Sequence, residues 1–384
     1  MNHRIGALLA VILAWSAVPD SFLGAEPLTT PEGFTVPQPG VQFRFPRDHG
    51  SHPEFALEWW YITGHLTDAN NLRYGFQATF FRRAAPKTTK PGSATDAFGD
   101  QQLYLAHMAL LEVKTGRFRH QERIQREGWN ASARLDRLEV ENGNWSLRGL
   151  GDSAKGGMNP MELRGGIRGE VSFQFLLQPM KPLVVFGTNG VSRKAADSSA
   201  ASHYLTFSRL HVSGELVVDG IARPIQGEAW MDHEFSSSQL GRGQVGWDWA
   251  SLQLRDGREV MAYRMRRADG TTDPISTLAW VSREGGVAQI GENRFVWETH
   301  GRWTSPQTGV VYPRTVVLVA EDPSEGRSRR FRIEPIVPAQ ELPGALSGIP
   351  YWEGACRVLD ETGRDVGQAF LEMTGYGTSL EGKL

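Results

Sequence analysis

The sequence predicts an all-β chain of antiparallel strands folded into sandwiches or barrels. Nearly everything beyond residue 40 runs in short stretches where apolar and polar residues alternate, the period of two that a half-buried strand produces. Gly, Asn and Pro separate these stretches. The 43 glycines and 21 prolines in 384 residues exceed the roughly 12% average usage of the two together. No long segment shows helical periodicity with capping residues. Many strands at close spacing favour sandwiches or barrels, and the length allows two domains with proper cores.

From the N-terminus, His3 and Arg4 form a short basic region and Ile5 to Val18 an apolar one. The apolar run is too short for a stable span, and Leu23-Gly24-Ala25 offers a cleavage site. Residues 1–25 therefore read as a signal peptide for a secreted or periplasmic protein, with no membrane anchor once it is cleaved. An uncleaved anchor is the alternative. No cysteine near residue 25 supports lipid attachment. A Pro/Thr-rich leader over 26–40 is expected to be extended and loosely held.

Strands are expected over Glu58–Leu66, Tyr74–Phe81, Leu103–Val113, Trp145–Leu150, Val171–Gln178 and Tyr204–Val218. Met180–Ser202 breaks the rhythm and reads as a long loop. Further strands are expected over Glu259–Arg267, Thr277–Val281, Arg294–Thr299, Thr315–Ala320, Arg330–Ile336 and Ala369–Thr374. The aperiodic SSSQLGRGQ segment suggests a boundary near Gly241, giving one β domain over 26–240 and another over 241–384.

Lys and Arg total 41 against 43 for Asp and Glu, a net charge of −2. That leaves no electrostatic footprint for nucleic acid or an anionic membrane. The runs Arg264–Arg266–Arg267 and Arg327–Arg329–Arg330–Arg332 read as solvated strand faces. Cys356 is the only cysteine, so no internal disulfide and no cysteine-rich zinc site is expected. No Gly-x-Ser-x-Gly elbow, phosphate-cradling loop or dinucleotide fingerprint is present, and no cofactor is implied. Asn130 and Asn144 begin glycosylation sequons that matter only in a eukaryotic host.

The stretch Gly227–Arg255 gathers the residues best suited to chemistry. Trp230, Asp232 and Glu234 share one strand face. Two acids this close raise one pKa and form an acid/base pair or half of a metal site with a histidine. No established metal spacing accompanies them. Trp247 and Trp249 face one way and Asp248 the other, among Ala250, Leu252 and Leu254. A carboxyl in an apolar wall keeps its proton near neutral pH, and indole faces stabilise a cation. Upstream, His52 and Glu58 sit at the mouth of a cavity walled by Trp59, Tyr61 or both; the alternative is that His49 and Asp48 make a turn and the tryptophans are core. His107 lies on an apolar strand face, as a hydrogen-bonded core histidine or a catalytic one.

HPEFALEWWYITGHL, YGFQATFFR, GEAWMDHEF, GWDWASLQL and YWEGACRV together resemble the AttH-like family. It contains the carotenoid 1,2-hydratases (hydroxyneurosporene synthases) and exported proteins described as predicted secreted hydrolases. The resemblance spans about Arg44 to Tyr376. It implies two consecutive lipocalin-like (calycin-type) antiparallel β-barrel domains, a cavity between or within them, and an apolar ligand, isoprenoid or lipid. Hydratase members add water to an isolated double bond without a cofactor. Carried over by motif are Glu58, Trp59 and Trp60, then Asp232, His233 and Glu234, then Trp247, Asp248 and Trp249. The loop Gly187–Lys194 precedes a strand with one clear tyrosine, Tyr204.

The expected function is acid-catalysed hydration, or related acid/base chemistry, of an isoprenoid-like substrate. Asp248 donates the proton and Trp247 and Trp249 face the cation. Asp232 or Glu234 positions water, with His233 and Glu58 behind them. Trp230, Trp59, Tyr61, His52 and Tyr204 complete the substrate-binding set. The alternatives are a carrier of a lipophilic ligand for an envelope transport system and a secreted hydrolase of unknown bond.

Overall fold

The computed structural model describes residues 28–85, 102–128, 130–151 and 159–383. The expected signal peptide lies outside them. The chain is all-β and forms two large antiparallel sheets, each curled around its own core.

The first sheet contains β1 (Leu57–Asp68), β2 (Arg73–Ala84), β3 (Gln102–Glu112), β4 (Arg117–Arg126), β5 (Ala131–Ala133), β6 (Glu139–Asn142) and β7 (Trp145–Gly149). It continues with β8 (Met161–Ile167), β9 (Val171–Pro179), β10 (Val184–Phe186), β11 (Ser192–Arg193), β12 (Ala201–Val218) and β13 (Ile221–Ser238). Its order is β4-β3-β2-β1-β13-β12-β9-β8-β7-β6-β5, with β10 and β11 on β12. Arg123 on β4 reaches across, its guanidinium 3.8 Å from the Trp145 ring centre, so the two ends of the sheet nearly close.

The second sheet contains β14 (Gln244–Leu254), β15 (Glu259–Arg267), β16 (Thr277–Val281), β17 (Val287–Gly291), β18 (Phe295–Thr304) and β19 (Val311–Asp322). It ends with β20 (Arg327–Pro335), β21 (Glu341–Leu342), β22 (Tyr351–Leu359) and β23 (Asp365–Met373). Its order is β17-β16-β15-β14-β23-β22-β20-β19-β18, with β21 on β22.

Alternation explains the packing. On β1, Trp60, Ile62 and Leu66 enter the first barrel, while Trp59 and Tyr61 face outward. On β14, Ala250, Leu252 and Leu254 enter the second barrel, while Trp247 and Trp249 face outward. The outward faces meet each other rather than water and build a third apolar cluster between the sheets. A bulge in β12 between Phe207 and Leu210 changes its register. Before it, Tyr204 and Thr206 face the second sheet; after it, Leu210 and Val212 enter the first barrel, the re-aiming that bulges provide.

Three expectations about elements are corrected. Phe34 and Val36 in the leader are buried and Val36 N–H donates to Leu28 O at 3.0 Å, so that part is docked, not loose. The long loop over Met180–Ser202 carries β10, β11 and the start of β12, because β12 offers them a pairing edge. Arg264 and Arg266 are not solvated: both turn inward to Asp248.

Candidate functional site

A cavity of about 240 Å³ lies between the two sheets. It is enclosed by the outward faces of β1, β2, β3, β12 and β13 and, opposite, of β14, β15, β22 and β23. Most of its wall is apolar or aromatic, with Trp59, Phe81, Trp247, Trp249, Tyr263 and Met265 prominent. Few convergent polar groups in an apolar concavity are the mark of a small-molecule site. Here the polar groups gather in two poles.

Asp232 anchors one pole. It accepts hydrogen bonds from Tyr204 Oη (2.8 Å), Thr206 Oγ1 (2.6 Å) and Trp230 Nε1 (2.7 Å). Burial pushes its pKa up to about 7 against these donors, and the Glu234 charge adds to the rise. A raised value in spite of three donors means that desolvation wins. Tyr204 Oη in turn accepts from Trp249 Nε1 at 3.0 Å, which ties a strand of each sheet to the same acid. Glu234 is ion-paired with Lys194 Nζ at 2.8 Å. Burial alone would lower the Lys194 pKa, but the Glu234 carboxylate raises it. The ammonium also sits 4.9 and 4.6 Å from the ring centres of Tyr204 and Tyr263.

The second pole comes from β2, β3, β22 and β23. Glu353 and Glu372 are directly opposite one another on β22 and β23. Burial, then the Glu372 charge, holds the Glu353 carboxyl well above the ordinary range. Burial also pushes Glu372 up to about 7, although Trp247 Nε1 donates to it at 3.0 Å. Gln77 Nε2 donates to Glu353 Oε2 at 2.5 Å and to Tyr351 Oη at 3.1 Å. Tyr351 Oη bonds His107 Nδ1 at 2.7 Å. Burial lowers His107 to about 4, so its imidazole is neutral, hydrogen-bonded and on the cavity wall.

Of the residues expected from the sequence, Glu58, Trp59, Tyr61, Tyr204, Asp232, Glu234, Trp247 and Trp249 border this cavity. Asp248, His233, His52 and Trp230 do not. For Asp248 this is a correction. The alternation that sends Trp247 and Trp249 to the cavity sends Asp248 into the second barrel. There it meets Arg266 Nε at 3.2 Å, Arg264 Nη1 at 3.5 Å and Tyr376 Oη at 3.0 Å. Burial still raises its pKa, but its partners are cations, not the two indoles. Trp230 stands behind Asp232, edge-on to Trp249 with ring centres 6.2 Å apart.

His52 and His233 lie in the mouth of the first barrel and converge on Glu58. His52 Nδ1 and His233 Nε2 each approach Glu58 Oε1 at 2.9 Å. Ser51 Oγ (2.8 Å) and Arg82 Nε (2.9 Å) take Oε2. Burial would raise the Glu58 pKa, but His233, His52 and Arg82 together hold it well below the usual range. The three ligand-type atoms lie within 4.8 Å of one another, as a metal ion would need. The guanidinium already neutralises this carboxylate, however, and repels a second cation, so the group is a hydrogen-bonded brace.

Glu353, Glu372, Gln77 and Tyr351 escaped sequence reasoning. The available signal was a lone acid within an otherwise apolar strand, as in FLEMT and YWEGAC.

A family model described as AttH-like matches residues 36–376. The fold superposes on a crystal structure assigned as an AttH from Nitrosomonas europaea, with a TM-score of 0.77 and 31% identity over 88% of this chain and 98% of that one. It also superposes on kievitone hydratase from Nectria haematococca, with a TM-score of 0.65 and 14% identity over 92% of this chain and 97% of that one; at that identity the likeness concerns the fold. No curated protein sequence matches the chain. By the extent of the family match, the close structural relative and the paired lipocalin-like barrels, the chain belongs to the AttH-like family.

Proposed function

We propose that the cavity between the barrels catalyses cofactor-independent hydration of a carbon–carbon double bond in a small, largely apolar substrate. One observation carries the reading: Asp232, fully buried on an aromatic-walled cavity, is held to a pKa of about 7. A general acid works best when its pKa lies near the working pH.

In this mechanism the Asp232 O–H protonates one alkene carbon and the C=C π pair forms the new C–H bond. The positive charge left on the neighbouring carbon is stabilised by the indoles of Trp59, Trp247 and Trp249. Water adds to that carbon and gives its proton to Glu372, whose pKa of about 7 leaves a share of it ionised. Water is added overall, and the proton returns from Glu372 to Asp232 through solvent on product release. A volume of about 240 Å³ falls below the ~300–1,000 Å³ of pockets for drug-sized ligands, which favours a small prenyl-bearing molecule over a full-length carotenoid.

The test is incubation with a panel of small prenylated compounds in ¹⁸O-labelled water, followed by mass spectrometry. Products heavier by one labelled water are expected, with Asp232→Asn reducing the rate ~10²–10⁴-fold. Turnover unchanged in Asp232→Asn overturns the assignment. A ligand that binds and is returned intact points instead to a carrier.

A further inference from the structure

Three polar atoms on the cavity wall lack a hydrogen-bond partner among the described residues: Tyr61 Oη, Gln77 Oε1 and Glu353 Oε1. Their residues are 7%, 2% and 2% exposed, and all three border the cavity. They belong to one pole. Gln77 and Glu353 are bonded through their other atoms. The Tyr61 phenol lies within side-chain hydrogen-bonding reach of the Glu353 carboxyl, and each shifts the other's pKa, but the pair does not reach the geometry of an ordinary hydrogen bond. Buried polar atoms are almost always paired, and leaving one unpaired is costly. Three together in one wall point to a group that completes them.

Their chemistry is specific. Gln77 Oε1 is an amide oxygen and can only accept, while its two N–H groups are shared among Glu353, Tyr351 and Thr79. Glu353 uses Oε2 to accept from Gln77, which leaves Oε1 to carry the proton that burial retains. Tyr61 Oη can donate or accept. The complement is a group with one donor and two acceptor sites. A hydroxyl has these, whereas a carbonyl has no donor and would strand Gln77 Oε1. A carboxylate would be repelled by Glu372, which is partly ionised at neutral pH.

We propose that the ligand is an unsaturated alcohol or phenol whose hydroxyl is gripped by Gln77, Glu353 and Tyr61, not a pure hydrocarbon. The inference rests on reading this cavity as the substrate site and adds the chemical class. The hydroxyl donates to Gln77 Oε1 and accepts from Glu353 and Tyr61, while the apolar remainder extends toward Trp249 and Asp232. Anchoring at one pole fixes which double bond reaches the acid at the other.

The experiment measures binding, so it does not depend on turnover. Quenching of the cavity tryptophans is titrated in the full chain with geraniol, with its aldehyde, and with the ten-carbon triene myrcene, which lacks the oxygen. Geraniol is expected to bind at least tenfold more tightly than either analogue. Glu353→Leu should abolish that preference, and Glu353→Gln, which restores a donor, should recover most of it. Equal affinity for alcohol and triene overturns the proposal, as does a preference that survives Glu353→Leu. Hydroxyl selectivity without a hydrated product keeps this inference and sinks the hydratase reading. Hydration of ligands bound without regard to the hydroxyl does the reverse.

Discussion

Asp232 and Asp248 are both fully buried acids with raised pKa values, yet their roles separate by partner. Asp232 is held by neutral donors beside a cavity. Asp248 faces two guanidinium groups inside a packed barrel. Asp248→Asn should therefore act on stability: removing one partner of a buried ion pair costs about 3–5 kcal/mol. Urea unfolding should show that loss, and ligand binding in the remaining folded protein should be unchanged. An unchanged midpoint would mean that Arg264 and Arg266 do not depend on Asp248. Much of this was legible in sequence. The period of two in GWDWASLQL already sets Asp248 opposite its tryptophan neighbours; what the pattern lacks is which face meets a cavity. Glu353 and Glu372 were hidden for another reason. An isolated acid in an apolar strand gains meaning only once Gln77, 276 residues before Glu353, is placed beside it.

Among elements, the strand runs were the most readable feature, because alternation is a local signal. Their extents were less so. β12 and β13 each run 18 residues, far beyond their apolar segments, because each has neighbours on both sides to satisfy its backbone. The bulge in β12 had no recognisable signature, yet it presents Ser208 and Arg209 to the second sheet. Arg209 Nε meets Glu259 Oε1 at 2.7 Å, and Lys181 Nζ meets Glu259 Oε2 at 2.6 Å. One buried glutamate on β15 thus fastens Arg209 of β12 and Lys181 in the connection between β9 and β10. Glu259→Ala leaves Lys181 without its carboxylate and Arg209 with Glu228 alone, 2.7 Å away, and is expected to cost about 3–5 kcal/mol, with looser docking of the sheets visible as faster hydrogen exchange along β12 and β15. Exchange that accelerates in neither strand would show that the clamp is dispensable. The sheets also approach closely at Gly75, where a Cβ would lie 2.6 Å from Ala355 Cβ, so the tight fit there requires glycine.

For the molecule as a whole, the buried acids set a stability profile with pH. Asp232 and Glu372 titrate near 7 when folded, against ordinary values of 3.8 and 4.5. Folding thus favours their protonated forms. Their contribution is complete below about pH 4 and is lost as pH rises through about 7, at about 1.4 kcal/mol for each pH unit that separates the folded value from the unfolded one. Glu58 works the other way, because its folded pKa is depressed. Its contribution is present above about 4.5 and is lost as pH falls through the depressed value. The melting temperature is therefore expected to peak near about pH 4.5 and to fall from there to about pH 7, with Asp232→Asn flattening that fall. A melting temperature that climbs across this interval would contradict the protonated state assigned to these acids.

Asp232 rides on one barrel, Glu353 and Glu372 on the other. The unusual acidity of this hollow is thus a property of the seam, not of either half. Any wedge that parts the barrels floods the seam and returns these groups to ordinary carboxylates, so the tightness of the joint acts as a throttle on how firmly they hold their protons.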